Sequence, residues 1–221
     1  MSARLFGKLP AHGDFVARGL GAAEREALDA WLSAEMLAAR EALGSDFEDR
    51  YDRAPPWRFA GTDGAGVLVA SVDGVGRRFP LYLALGSPSS SPARGRWRAQ
   101  RDGGGGTQPA TGSHASPSTA FGGPPPPGGG GLPDATRSAV LAGAGEDVAA
   151  QIEDLVYRAF GEGWDADRLA AEVGSLDPAA ESGTSAPRWW TLGGEGFMPA
   201  FQDGDRPEGL LAKMLISEVN A

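Results

Sequence analysis

Between Gly86 and Asp134 the chain has almost nothing to bury. Gly, Pro, Ser and Thr dominate this stretch, with Gly103–Gly106, Pro124–Pro127 and Gly128–Gly131 as uniform runs, and Trp97, Phe121 and Leu132 stand nearly alone in it. Such a segment cannot recover the entropy lost on ordering, so residues 86–145 are expected to form a disordered linker. Two blocks remain, 1–85 and 146–221. Each is small for an independent core, so they are expected to fold together as one domain with the insertion looped out. The tetraproline could enter a polyproline-binding groove, but no flanking specificity residues accompany it. Arg94, Arg96, Arg98 and Arg101 surround Trp97, and this short run in an acidic chain reads as a solvated linker end rather than an RNA contact.

Composition narrows the chemistry. The 221 residues include no cysteine and two histidines, His12 and His114, so thiolate zinc sites, iron–sulfur clusters, disulfides and cysteine nucleophiles are excluded. No cofactor and no metal are expected. A formal net charge of -9 argues against nucleic acid as a partner. The longest apolar runs, Val67–Val72 and Leu81–Leu85, fall far short of the roughly 20 residues that span a bilayer, and the first residues lack a leader's apolar core. A cytoplasmic location without membrane insertion is the expectation.

Helical spacing is clearest over Ala22–Leu43, where Leu28, Trp31, Leu32, Met36, Ala39 and Leu43 fall on one stripe and Gly44 supplies a stop. Strands are expected at Arg4–Gly7, around Trp57–Phe59, at Val67–Val72 and Phe79–Leu85, and at Arg188–Gly193. Residues 73–78 should turn a hairpin between the third and fourth of these. Pro80 makes the fourth start late or lie at an edge. The second block predicts helices at Glu146–Phe160, at Ala166–Val173 with Asp165 as N-cap, and from near Pro207, burying Leu210, Leu211, Met214 and Leu215. Alternating helices and strands imply an α/β layered fold.

Reactive side chains concentrate in the turn Lys8–Asp14. His12 and Asp14 could form an acid–base pair, yet no Ser or Thr nucleophile is tied to them and no nucleophile elbow exists. The alternative is a tight loop shaped by Pro10 and Gly13, with Asp14 turning the backbone. Gly7-Lys8 lacks the rest of a phosphate loop, and Gly74-Val75-Gly76 precedes Phe79-Pro80 where a dinucleotide site needs a helix. Arg77 or Arg78 could pair with Asp73 or Asp14 as a structural ion pair. Trp189 and Trp190 should face opposite sides of the sheet. Either both are core, or one offers an aromatic anchor to a partner.

Several motifs in order resemble the TagF/ImpM family of type VI secretion accessory proteins. They are Phe6-Gly7-Lys8-Leu9-Pro10-Ala11-His12-Gly13-Asp14-Phe15-Val16-Ala17-Arg18-Gly19-Leu20, Leu28-Asp29-Ala30-Trp31-Leu32, Pro56-Trp57-Arg58-Phe59, Ser71 to Leu81, and Trp189-Trp190. Ala70 and Gly74 depart from it, standing where the pattern leads one to expect proline and arginine. The resemblance implies a three-layer α/β/α sandwich and a non-enzymatic, post-translational repressor of secretion that binds a forkhead-associated scaffold. Some relatives carry a fused phosphatase domain, for which this chain has neither room nor a carboxylate constellation. Loops bearing Lys8, His12, Asp14, Arg18, Asp73 and Arg77 suit partner binding better than chemistry. The alternatives are a small hydrolase using His12 and Asp14, and a structural subunit of the apparatus.

Overall fold

In a computed structural model, which describes residues 2–61, 64–86, 146–176 and 186–216, the apolar stripe of the first block forms the helix α1 (Ala22–Leu43) with the expected ends. It follows two strands, β1 (Ser2–Gly7) and β2 (Val16–Arg18). A short helix α2 (Phe47–Arg53) leads into β3 (Trp57–Gly61), β4 (Gly64–Val69) and β5 (Leu81–Gly86). The second block adds α3 (Glu146–Glu162), α4 (Ala166–Gly174), β6 (Arg188–Thr191), β7 (Ala200–Asp203) and α5 (Leu210–Ile216).

Among the described residues all strands join one seven-stranded sheet in the order β2-β1-β5-β4-β3-β6-β7, and every pairing is antiparallel. Strands from both blocks therefore share one ladder, joined where β3 meets β6, with Phe59 opposite Trp189. Successive strand residues point to opposite faces, and the cores divide accordingly. Leu5, Val67, Leu83 and Leu85 pack with Val148, Ile152, Val156, Leu169 and Val173 of α3 and α4. Phe6, Trp57, Phe59, Leu68 and Trp189 pack with α1, α2 and α5 through Leu28, Leu32, Phe47, Tyr51, Leu211 and Met214. Each fully buried leucine contributes about 1.5–3 kcal/mol, so the stripes hold the helices more firmly than propensity does.

An aromatic row crosses the second of these faces. Tyr82 stacks on Phe59 at 5.1 Å, Phe59 meets Trp189 at 4.5 Å, and Trp189 meets Trp31 at 5.7 Å. Burial pushes the Tyr82 hydroxyl up to about 12. Both Trp189 and Trp190 are buried, which decides between the two readings in favour of core packing and removes the exposed anchor.

Several expected boundaries shift. The strand expected at Val67–Val72 ends at Val69, because residues 70–73 leave the ladder to build a turn, with Val72 making only a bridge to Arg78. Pro80 delays β5 to Leu81, and β5 lies inside the sheet rather than at its edge. Gly86, expected as linker, closes β5 opposite Ser2. The middle helices move less. α3 runs two residues beyond Phe160, and α4 starts where expected, with the Asp165 side chain accepting the Arg168 N–H at 2.8 Å as an N-cap. The last helix begins at Leu210 rather than near Pro207. The expected linker disorder over 87–145, the tetraproline and the basic cluster around Trp97 lie outside the described residues.

Candidate functional site

The two motif-rich loops meet at one corner of the sheet. Gly7 ends β1 with φ 135°, and a Cβ there would fall 2.1 Å from the Pro80 carbonyl oxygen. Only glycine fits so close an approach, which explains why this position and the Phe79-Pro80 step come together. The chain then turns through Lys8–Asp14 against the turn Asp73–Arg77. Gly74 N–H donates to the His12 carbonyl at 2.6 Å. A Cβ on Gly74 would sit 3.2 Å from both the His12 and Pro10 carbonyl oxygens, so the departure from the family pattern at this position is matched by a close backbone contact.

Asp73 is the hub. Its side chain is fully enclosed, and Oδ2 receives Lys8 Nζ at 2.9 Å and Arg77 Nε at 2.6 Å. Oδ1 accepts the backbone N–H groups of Val75 and Arg77 at 3.1 and 2.9 Å. Burial alone would raise this carboxyl, but the Lys8 ammonium, the Arg77 backbone and side chain and the Val75 N–H outweigh it and hold it well below the usual carboxylate range. Arg77 also donates through Nη2 to the Gly13 carbonyl, so one guanidinium ties both loops. Beneath them, Ser71 Oγ donates to the Lys8 carbonyl at 2.8 Å, while the Tyr51 hydroxyl lies 3.2 Å from Ser71 O and 3.1 Å from Ser71 N. Burial drives the Tyr51 hydroxyl far above its ordinary value.

Of the remaining expected site residues, His12 and Arg18 face this chain's own second block. His12 Nε2 accepts the N–H of Ala166, the first residue of α4, at 3.0 Å. An acceptor Nε2 requires the neutral ring. Arg18 makes a two-pronged pair with Asp167 of α4 at 2.6 and 2.9 Å; that hydrogen bond raises the guanidinium and lowers the carboxyl. Asp14 accepts the N–H of Phe15 at 2.8 Å and thus turns its own backbone. The structure therefore unites Lys8, Asp73 and Arg77, and engages His12, Arg18 and Asp14 separately. Arg78 pairs with Asp52 at 2.8 and 2.7 Å and with Glu48 at 3.2 Å, not with Asp73 or Asp14, because α2 supplies nearer carboxylates. Asp52 raises the Arg78 guanidinium.

Two contributors escape sequence reasoning. Tyr51 belongs to α2, whose only apolar signal is the Phe47–Tyr51 step. Phe15 stacks on Phe6 at 6.0 Å, meets Phe79 edge-on at 4.8 Å, and lies under Lys8 Nζ at 5.2 Å; its place directly after the turn is the available signal. Among the described residues no group of three or more His, Asp or Glu side chains could hold a metal ion, and no helix is long and apolar enough to cross a membrane.

Residues 4–102 match the model of the TagF N-terminal domain, described as type VI secretion system-associated. Over those residues the chain is similar to the TagF N-terminal domain. The TagF match takes in β1 to β5 with α1 and α2, and so both loops of the corner; it stops short of α3 and everything after it. The solved structure of PA0076 from Pseudomonas aeruginosa PAO1 is similar with a TM-score of 0.62 and 21% identity, covering 100% of this chain and 96% of that one. At that identity the likeness speaks for the fold. No curated protein matches.

Proposed function

We propose that this chain is a non-enzymatic regulator of the bacterial type VI secretion system, acting after translation as a cytoplasmic repressor that binds a forkhead-associated scaffold component. The TagF match over residues 4–102 carries the association with secretion. The corner supports binding over turnover: the ammonium of Lys8, the carboxylate of Asp73, the hydroxyl of Ser71 and the ring nitrogen of His12 are each committed to an internal bond. Such a site offers shape rather than a free nucleophile or base. Helices on both sheet faces are read here as a three-layer α/β/α sandwich, a rigid frame for such a surface.

Deleting the gene in a strain that expresses the apparatus should raise secretion of its effectors, with apparatus transcripts unchanged. Purified scaffold should bind the full chain in calorimetry. Unchanged secretion in the deletion strain would refute the repressor role, and absence of heat at two well-separated temperatures would refute the scaffold as its partner.

A further inference from the structure

We infer that the contact surface is the tip formed by residues 11–15 and 74–77, with Phe15 and Val75 as apolar anchors and Arg77 as the charged one. It fits a protein partner that presents an apolar socket with a carboxylate at its rim. This rests on the binding role proposed above and changes which residues perform it.

Exposure is the first argument. Val75 is 71% exposed and Phe15 46% exposed, on loops whose neighbours Ala11, Gly13, Gly74 and Gly76 are exposed too. Apolar groups gathered at a loop tip mark interaction sites more than single exposed leucines do. Two of the other exposed apolar groups, Leu37 and Phe201, are less suited. Leu37 stands on an exposed helix face among Ser33, Ala34, Ala38, Arg40 and Glu41, with no second large apolar group, and at Phe201 on the edge strand β7 the carbonyl already receives Lys213 Nζ at 2.8 Å, a common way to blunt a sheet edge.

Rigidity is the second. The tip is braced from below by the Lys8–Asp73–Arg77 cluster, from the side by Gly74 N–H to His12 O, and through its ring by Phe6 and Phe79. Burying an ion pair adds little to stability compared with apolar packing, whereas a loop held in its bound shape loses less entropy on docking. Lys8 and Asp73 are positioning residues here, and His12 and Arg18 fasten the loop to α4.

Charge is the third. Arg77 is 57% exposed at its side chain while the carboxylate it pairs with is enclosed and shared with Lys8, so solvent meets the cation. Asp14, on the facing loop of the tip, is exposed, and its Oδ1 is held by the Phe15 N–H. A cation projecting beside two apolar anchors selects an acidic rim.

A photo-crosslinking residue at Ala11, in the full chain expressed in its own host with the apparatus present, tests the surface; the same residue at Leu37 is the control. A discrete adduct is expected at 11 and none at 37. It should vanish in Val75→Glu and in Phe15→Ser, and the crosslinked peptide should pair apolar residues with Asp or Glu. No adduct at 11, an adduct that survives both substitutions, or a crosslinked peptide rich in Lys and Arg would overturn the proposal. Binding to purified scaffold separates the two claims. Val75→Glu should weaken it by about tenfold or more at an unchanged thermal midpoint. Equal binding by wild type and Val75→Glu would remove the surface and leave the scaffold in place. An adduct that meets these criteria but contains another protein would keep the surface and remove the scaffold.

Discussion

Two helices arrive late in the chain, and each is caught at its N-terminus by a side chain from the first block, with opposite chemistry. On one face of the sheet, Glu35 of α1 accepts the N–H groups of Gly209 and Leu211, both at 2.9 Å, at the start of α5. On the other, neutral His12 accepts the Ala166 N–H at the start of α4. The Glu35 carboxylate is buried and serves two donors, so it completes both hydrogen bonding and the field of the helix end. The imidazole is half-buried and serves one donor, with Asp165 and the Arg18–Asp167 pair beside it. One dock is a single enclosed charge with no substitute. The other shares its task among several partly wet groups, next to a surface that must stay accessible.

The brace under the corner sets the upper limit. Asp73→Ala strands the Lys8 ammonium in a buried site and should cost about 3–5 kcal/mol, measured by urea unfolding. Its pH signature has a definite sign. The folded carboxyl holds its proton less tightly than the unfolded one, which titrates near ~3.9, so acid favours the unfolded chain. That stability is present above about pH 4 and is lost as pH falls below it toward the lower folded value. The wild-type unfolding midpoint should thus drop more steeply below about pH 4 than that of Asp73→Asn.

Next comes Glu35→Ala, which leaves the buried Leu211 N–H and the half-buried Gly209 N–H unpaired and should cost about 2–3 kcal/mol. His12→Ala should cost about 1 kcal/mol, and His12→Asn should recover part of it, since an amide oxygen can still accept. Equal losses at Glu35 and His12 would erase the contrast between the docks. The smallest effect is expected for Arg18→Ala, whose pair with Asp167 is open to solvent and screened; its thermal midpoint should stay within error of wild type.

That same contrast separates what sequence reasoning reached from what it missed. The stripe from Leu28 to Leu43 recovers both ends of α1, because period and stop residue agree. The Asp73–Arg77 pair is legible too, since the partners share one turn. Glu35, His12 and Arg18 meet partners 149 to 176 residues away, and no local pattern encodes a contact at such separation. Glu35 in particular falls inside the stripe, seven residues after Leu28 and four after Trp31, so its position marks a buried carboxylate while nothing marks its partner. The strands β2 and β7 have three and four residues, too few for alternation to register, and they exist because β1 and β6 offer them an edge. Residues Lys8 and Asp73 stand out in the sequence for their charge, yet burial turns that charge inward and leaves Phe15 and Val75 as the exposed groups.

The row Tyr82–Phe59–Trp189–Trp31 has an optical meaning. Three of its rings belong to the first block and Trp189 to the second, inserted between Phe59 and Trp31. Its indole emission should be quenched or shifted by Phe59 and Trp31, first-block neighbours that reach it when the two blocks have closed on each other. Trp189 is thus an internal gauge of assembly, readable as the fluorescence difference between wild type and Trp189→Phe, and tied to the β3–β6 pairing that sets Phe59 opposite it.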